Sequence, residues 1–189
     1  MAGAAGRKGL ADRRGWRHRA EMASIRRIAP DDSAILKRVR LTALRDAPSA
    51  FGSTYEVESV QTEEAWAERA LAGSRSDQRA TFFAEADGQV IGLVGGYRAT
   101  PESSRVELVS MWVAPGARRQ GIARRLVEAV VGWAAASNAA DVALWVTDGN
   151  AAAEELYRGT AFRPTGARKA LPSDPSKSEY ELVRWLDNP

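Results

Sequence analysis

The sequence predicts one α/β (α+β) domain, and three observations support this. Two strand-like runs flank Asp87-Gly88, a dipeptide that strongly indicates a two-residue hairpin turn. A third apolar run, residues 105–113, stops at Ala114-Pro115-Gly116 and is followed by an amphipathic helical pattern. That helix leads into another apolar strand at residues 141–147, and a strand, helix and strand in succession favour a parallel βαβ unit.

The first half of the chain predicts one strand, two helices and three further strands. Ile35, Leu36, Val39 and Ala43 recur at three- and four-residue spacing, as the buried face of a helix does. The three later strands follow one another across short turns and therefore predict an antiparallel meander. The predicted elements occupy residues 24–28, 33–46, 62–72, 80–86, 89–99 and 105–113.

The second half alternates helices with strands. Ile122, Leu126, Val130 and Trp133 form the apolar stripe of a third helix. The predicted elements occupy residues 118–136, 141–147, 150–158, 162–167 and 179–185, with a loop at 171–177. The complete order is β-α-α-β-β-β-α-β-α-β-β, which gives about seven strands and about four helices without an internal repeat or a linker.

Composition limits the chemistry that this chain can carry. The 189 residues contain no cysteine, which excludes disulfides, thiolate catalysis and cysteine-bound metals. Because the single histidine is His18, near the N-terminus, we expect no metal site. Acid–base steps then fall to carboxylates, tyrosine, lysine or water. No apolar run approaches the roughly 20 residues that span a bilayer, so we expect a cytoplasmic protein with no membrane partner.

The basic charge of the chain is concentrated in residues 1–21. The whole sequence has a net charge of +3. Residues 1–21 hold six basic and two acidic side chains, a net charge of +4, which leaves the remainder at −1. We therefore expect residues 1–22 to be a dispensable basic extension and residues 23–189 to be a single domain. The alternative is an arm that binds an acidic partner, although the near-neutral remainder argues against nucleic-acid binding as the main function.

The segment between the 105–113 strand and the third helix predicts an anion site. A glycine at a helix entrance, here Gly121, lets a ligand approach the backbone closely. The free N–H groups of a helix N-terminus attract anions, and the neighbouring Arg118 and Arg119 suggest phosphate. The alternative is an ordinary strand–turn–helix connection with basic surface residues.

This element order resembles the GNAT superfamily of acyl-CoA-dependent N-acyltransferases over residues 24–187. The family signature Gln/Arg-x-x-Gly-x-Gly/Ala is matched by Arg118-x-x-Gly121-x-Ala123. A second cofactor motif is resembled by Asn150, Ala153, Leu156-Tyr157 and Gly159-x-x-Phe162, in which two residues split the usual Gly-Phe pair. The resemblance implies a mixed, mostly antiparallel sheet and acetyl-CoA as cofactor.

The resemblance also implies how the cofactor is held. Backbone N–H groups of residues 120–123 would bind the pyrophosphate, with nearby arginines on the phosphates unless these are only a solvated face. The pantetheine arm would pair with main-chain groups of Met111 and Val113 and contact Asn150, for which a helix N-cap is the alternative or additional role. The implied cofactor-binding residues are Met111, Trp112, Val113, Arg118, Arg119, Gln120, Gly121, Ile122, Ala123, Arg124, Asn150, Ala153 and Tyr157.

Two residues carry the catalytic roles that the resemblance implies. Tyr157 would donate a proton to the departing thiolate, with a plain core residue as the alternative. Glu107 would act as a base through water, with an ordinary strand carboxylate as the alternative. On a regular strand Glu107 shares a face with Met111 and Val113, although a bulge would reset that phase. The N–H of Met111 would polarise the thioester carbonyl.

The acceptor, a primary amine of a small molecule or peptide, is expected near Phe51, Gly52, Ser53 and Tyr55, with residues 172–178 as the opposite wall. Both segments read as irregular, as binding loops tend to be. Two other functions stay open at this stage, an acyl-CoA-binding regulatory module without turnover and nucleic-acid binding through the basic extension. Many members of the family are homodimers, and no residue here decides that point.

Overall fold

The computed structural model describes residues 22–186 as a seven-stranded sheet with the order β1-β2-β3-β4-β5-β7-β6. The strands are β1 (Ser24–Arg27), β2 (Arg79–Ala86), β3 (Gln89–Tyr97), β4 (Arg105–Val113), β5 (Asp141–Thr147), β6 (Arg163–Leu171) and β7 (Asp174–Trp185). The helices are α1 (Ser33–Asp46), α2 (Tyr55–Ser59), α3 (Glu63–Arg75), α4 (Ile122–Ala136) and α5 (Ala151–Gly159).

The predicted mixed, mostly antiparallel sheet is confirmed. All neighbouring strands pair antiparallel except β4 and β5, which are parallel and joined through α4. The predicted meander is β2, β3 and β4. Asp87 and Gly88 have φ values of 51° and 70°, as a hairpin turn with two left-handed residues requires.

Helices cover both faces of the sheet and divide the core in two. On one face, called the α4 face, the α4 residues Leu126 and Val130 pack with the α5 residue Tyr157. On the other, the α1 face, residues of α1 and α3 pack against Phe83 and Leu93. Tyr157, one of the two residues with an expected catalytic role, therefore lies on the α4 face.

Glycines of β3 let α4 lie close to the sheet. A Cβ at Gly92 would stand 2.9 Å from a methyl carbon of Leu126. A Cβ at Gly96 would stand 3.0 Å from Val130. The absence of side chains at these two positions thus permits a close contact between α4 and the sheet.

The main differences from the sequence predictions are an additional helix, the connection between β6 and β7, and the start of α4. The five-residue helix α2 was not predicted, since one helical turn shows no periodicity. The predicted loop at 171–177 is wrong, because β6 and β7 continue to a tight connection at Pro172 and Ser173. Nearly every residue of β6 is exposed, so its sequence lacks the apolar alternation of a half-buried strand. Helix α4 begins at Ile122 rather than at residue 118.

Most of the predicted basic extension, residues 1–21, lies outside the described residues, as do residues 187–189. Within residues 22–186, no helix is long and apolar enough to cross a membrane.

Candidate active site

The carboxyl ends of β4 and β5 diverge and leave a gap between them. The two strands pair only at their beginnings, where Glu107 lies opposite Ala143 as the last pair. Beyond it, β4 stays with β3 and β5 stays with β7. A bulge explains the separation, because the β3–β4 register slips between the Leu93–Trp112 and Gly95–Val109 pairs. We call the opening the β4–β5 gap.

Main-chain groups at the end of β4 face this gap. The N–H of Ala114 donates to the carbonyl of Ile91 on β3 at 2.9 Å. Since successive residues of a strand direct their main-chain groups to opposite sides, Met111 and Val113 present theirs toward β5. The Val113 carbonyl already accepts a hydrogen bond from Nε of Arg118 at 2.9 Å. The edge of β4 thus offers the main-chain groups of Met111 and the N–H of Val113 to a short extended ligand.

The N-terminus of α4 is open. Its N-cap is Gly121, with φ of 80°, no side-chain cap and no acidic residue in the first turn. The first hydrogen bond into the helix runs from the N–H of Arg125 to the carbonyl of Gly121 at 3.2 Å, so the N–H groups of residues 122–124 have no acceptor within the helix. A Cβ on Gly121 would meet open space. The donors are therefore accessible and fit the expected pyrophosphate.

Three of the other four helices are capped by the protein itself, whereas α1, like α4, has no side-chain cap and no acidic residue in its first turn. The side chains of Thr54, Thr62 and Asn150 cap α2, α3 and α5, and each of these helices has an acidic residue in its first turn. Those side chains satisfy the donors and carboxylates complement the dipole. At α4 an external anion would serve both purposes.

The arginines around α4 divide into two groups. Arg118 donates to Asp46 as well as to Val113, so its guanidinium is held by the protein. Arg119 and Arg124 are exposed and form no ion pair with a described acidic residue. Arg119 and Arg124 are therefore free to bind phosphate, whereas the guanidinium of Arg118 is already bonded within the protein.

Gln120 braces the turn from within. Its Nε2 donates to the carbonyl of Gly116 at 3.0 Å. Its buried Oε1 has no partner among the described residues. The side chain therefore points into the loop, and the backbone of this residue is the part that a ligand reaches.

The second motif forms the start of α5 and its core face. Oδ1 of Asn150 accepts the N–H of Ala153 at 3.2 Å, so Asn150 is the N-cap of α5, and its additional contact with the pantetheine arm stays a prediction. The ring of Tyr157 is buried and meets Phe162 edge-on, with centroids 5.6 Å apart. Burial raises the pKa of Tyr157, which keeps its hydroxyl protonated at neutral pH. The hydroxyl can therefore serve as a proton or hydrogen-bond donor, and it is a weaker acid than the hydroxyl of an exposed tyrosine.

The split Gly-Phe pair is accommodated without displacing Phe162. Ala161 takes a left-handed conformation with φ of 65°. The N–H of Phe162 then donates to the carbonyl of Tyr157 at 3.0 Å. The two inserted residues thus close the end of α5, and the aromatic contact is kept.

Glu107 lies on the α1 face, and the expectation that it shares a face with Met111 and Val113 is wrong. Ser110, with φ of 59°, forms the bulge and shifts the alternation by one residue. Met111 and Val113 consequently pack on the α4 face, and Trp112 packs on the α1 face. Glu107 is half-buried, and burial raises its pKa although the neighbouring Arg105 opposes the shift.

The two expected walls of an acceptor pocket meet in the structure. Ser173 Oγ donates to the carbonyl of Phe51 at 2.5 Å. A Cβ on Gly52 would lie 3.7 Å from Pro172. The expectation of Phe51 as a lining side chain needs correction, because its ring is only 4% exposed and belongs to the second core. Tyr55 lies beneath the guanidinium of Arg45, 3.9 Å from its ring centroid.

Several polar side chains of the α1 face were not anticipated. Arg105 donates to Asp141 at 2.7 Å and to Glu181 at 3.0 Å. Lys169 stands 3.9 Å above the ring of Trp145. The only sequence signal was an alternation of charged residues in β6 and β7, which by itself indicates a solvated strand. The role of Asp46 has no local signal, since its partner Arg118 is 72 residues away.

The sequence model of the Acetyltransferase (GNAT) family matches residues 41–162. The chain therefore belongs to this family of acyltransferases, whose cofactor is acetyl-CoA. The N-acetylaspartate synthetases of Homo sapiens and Rattus norvegicus are each 39% identical over 86 residues, 46% of this chain. Because that match is 28% of their sequences, the chain spans little more than a quarter of the curated relatives it matches.

Solved structures share the fold. An acetyltransferase of the GNAT family from Streptococcus pneumoniae has a TM-score of 0.71 at 21% identity, covering 87% of this chain and 99% of its own. The ribosomal-protein-alanine N-acetyltransferase of Brucella melitensis has a TM-score of 0.71 at 22% identity, covering 86% and 99%. Spermidine N-acetyltransferase from Vibrio cholerae, in complex with CoA and spermine, has a TM-score of 0.69 at 16% identity, covering 89% and 98%.

Proposed function

We propose that this protein transfers the acetyl group of acetyl-CoA to a primary amine of a small molecule or peptide. The observation that carries the proposal is the β4–β5 gap opening beside the uncapped N-terminus of α4. One feature fits an extended arm and the other fits a pyrophosphate. When bound, acetyl-CoA supplies an acetyl group activated as a thioester.

The α4 side of the protein would bind this cofactor. Backbone N–H groups of residues 120–123 hold the pyrophosphate, and Arg119 and Arg124 add charge. Main-chain groups of Met111 and Val113 hold the arm in the gap. The N–H of Met111, which faces the gap, would polarise the thioester carbonyl.

The α1 side would present the amine. Glu107 accepts the proton that the ammonium must lose, through a water molecule, and its raised pKa brings it closer to that task. The neutral amine attacks the thioester directly, so the N–C bond forms as the C–S bond breaks. Tyr157 would donate its proton to the departing thiolate, and the second proton that the nitrogen loses as the amide forms would return through solvent to the Tyr157 oxygen. Holding the two reactants together on opposite faces of the same gap supplies much of the acceleration.

Release of free CoA from acetyl-CoA tests this function. The chain has no cysteine, so a thiol reagent reports only the product. The amine panel includes aspartate, because the curated relatives are named for N-acetylaspartate, together with spermidine and peptides with free N-termini. Amine-dependent thiol release supports the proposal. Acetyl-CoA binding without release for any amine contradicts it and favours a regulatory module.

We further propose that residues 23–189 form the catalytic domain and that residues 1–22 are dispensable. Thiol release by a chain that starts at Ala23 should match that of the full chain. A loss of activity in a truncated chain that melts at an unchanged temperature would show that the extension takes part in the reaction.

A further inference from the structure

A cavity of about 460 Å³ lies on the α1 face, between α1, α3 and strands β2 to β4. Ser110, the bulged residue of β4, lines it together with Val109. Its volume is in the range of small-molecule sites. Since the bulge is also where β4 leaves β5, the cavity reaches the sheet next to the position proposed for the thioester.

The charges lining this cavity are mostly positive. Its described lining holds three arginines, Arg40, Arg69 and Arg79, and one acidic residue, Glu68. Arg69 is already bonded, since its Nη1 donates to Glu58 at 3.0 Å. The other two arginines carry donors that the protein leaves unused.

Arg40 is buried and only partly satisfied. It is 5% exposed, and its Nε and Nη2 donate to the carboxylate of Glu58, at 2.6 Å for the shortest contact. Its guanidinium also lies 4.7 Å from the ring centroid of Phe51. The remaining nitrogen, Nη1, is buried without a partner among the described residues. Because an unpaired buried donor is unfavourable, an acceptor oxygen on a ligand would be stabilised there.

Arg79 also lines the cavity. It is exposed and forms no ion pair with a described acidic side chain. Its guanidinium is 5.4 Å from the ring centroid of Tyr97. In the β3–β4 ladder, Tyr97 is paired with Glu107, and paired side chains of a sheet are close neighbours. The carboxylate proposed as base thus lies beside Tyr97, a residue of the cavity wall, and Tyr97 lies between it and Arg79 in the sheet.

We propose that this cavity binds the acceptor through a carboxylate group, so that the substrates are amino acids or similar amines that also carry a carboxylate. The carboxylate oxygens accept hydrogen bonds from Nη1 of Arg40 and from Arg79, as planar guanidinium groups favour. The ammonium end lies toward Glu107 and the thioester. This inference rests on the proposed function and assigns the substrate class of the same site.

The test compares matched acceptors. Thiol release is measured with acetyl-CoA and each α-amino acid beside its α-carboxamide, with spermidine as a carboxylate-free amine. Calorimetric titration of the best acceptor and its carboxamide into the CoA-saturated protein measures binding independently of turnover. We expect kcat/KM to be at least tenfold higher for the carboxylate form, a ratio that corresponds to about 1.4 kcal/mol.

Three variants locate the preference. Arg79→Gln should reduce the ratio between carboxylate and carboxamide, whereas Arg75→Gln, an exposed arginine of α3 outside the cavity lining, should leave it unchanged. Arg40→Lys keeps a cation beside Glu58 but loses the planar fork, and its melting temperature shows whether it folds. If Arg40→Lys does not fold, the comparison of Arg79→Gln with Arg75→Gln decides whether the cavity recognises the carboxylate.

Three results would overturn the inference while the proposed function stands. They are faster turnover of spermidine than of every amino acid, equal turnover of carboxylates and carboxamides, and an equal effect of Arg79→Gln and Arg75→Gln. Absence of thiol release with every amine is a different result, because it contradicts the proposed function itself.

Discussion

Nε1 of Trp112 donates a hydrogen bond of 2.9 Å to Oδ2 of Asp46. The bond joins the last turn of α1 to the end of β4, beyond the last β4–β5 pair. The same carboxylate oxygen accepts a hydrogen bond from Arg118 at the entrance to α4. One side chain thereby ties the acceptor side of the protein to the turn proposed for the pyrophosphate.

Removal of this carboxylate should weaken both stability and cofactor binding. Asp46→Ala should lower the free energy of unfolding by about 1–3 kcal/mol, because hydrogen bonds to charged groups are lost and Trp112 keeps an unpaired donor. Urea unfolding measures the loss, and calorimetry with acetyl-CoA measures the affinity. Asp46→Asn is the matched control, since its amide oxygen can still accept from Trp112. An alanine variant with unchanged stability and affinity would show that Asp46 does not anchor the turn.

Glu107 should give the reaction a pH dependence that its glutamine variant lacks. If the ionised carboxylate is the base, kcat/KM of the wild type rises with pH through the raised pKa of Glu107. Glu107→Gln should lose this limb and about 10²-fold or more in kcat. A variant with the same pH profile and rate as the wild type would mean that proximity alone suffices and that Glu107 is an ordinary carboxylate.

The raised pKa of Glu107 also makes folding stability depend on pH, and in the opposite direction to activity. Because the folded-state pKa of Glu107 lies above its unfolded value, its contribution is fully present below the unfolded pKa. That contribution is lost as pH rises through the folded pKa. Glu107→Gln should therefore be at least as stable as the wild type at pH 7, with the advantage shrinking in acid. Urea titrations at pH 4 and pH 7 measure this difference, and a glutamine variant that is clearly less stable at pH 7 contradicts it.

Tyr157→Phe should slow the chemical step and leave the fold intact. Phenylalanine keeps the edge contact with Phe162, so the melting temperature should change little. Loss of the proton donor should lower kcat by about 10²-fold while KM for acetyl-CoA stays similar. Steady-state kinetics separate the two constants. An unchanged kcat would return Tyr157 to the role of a core residue.

The arginines near α4 should differ in their effect on cofactor affinity. Arg119→Ala and Arg124→Ala should each raise the Kd for acetyl-CoA by about threefold to tenfold, with a weaker salt dependence of binding. Arg118→Ala should instead act through stability, because Arg118 is bonded to Asp46 and Val113. Calorimetry at two salt concentrations distinguishes these effects. Equal, salt-independent changes of the Kd in all three variants would contradict the assignment of Arg119 and Arg124 to the phosphates.

Most of the fold could be predicted because its central elements are buried with a regular period. Strand β5 is almost wholly buried, and α4 carries a complete apolar stripe. The exposed β6 and the single turn of α2 lack such a pattern, and both were missed or misplaced. The apolar periodicity of a sequence arises from burial of one face of a helix or strand. Elements that bury few residues therefore show no such periodicity.

The turn before α4 could be proposed from the sequence because Gly121 and its neighbours are adjacent in the chain. The face of Glu107 could not be predicted, since a bulge at a serine has no sequence signal and shifts the alternation beyond it. The pairing of Arg118 with Asp46 and the unused donor of Arg40 arise from helix packing across the chain. Motifs of adjacent residues could therefore be predicted from the sequence, whereas polar contacts between residues far apart in the chain could not.

The most direct measurement of the central claim is a calorimetric titration of acetyl-CoA into the wild type, Gly121→Glu and Gly88→Glu. Both glycines have a positive φ, of 80° and 70°, and open space at the Cβ position, so the two variants share the backbone strain. The account predicts micromolar binding by the wild type and Gly88→Glu, and none by a folded Gly121→Glu. Equal binding by all three proteins, or no binding by the folded wild type, would contradict it.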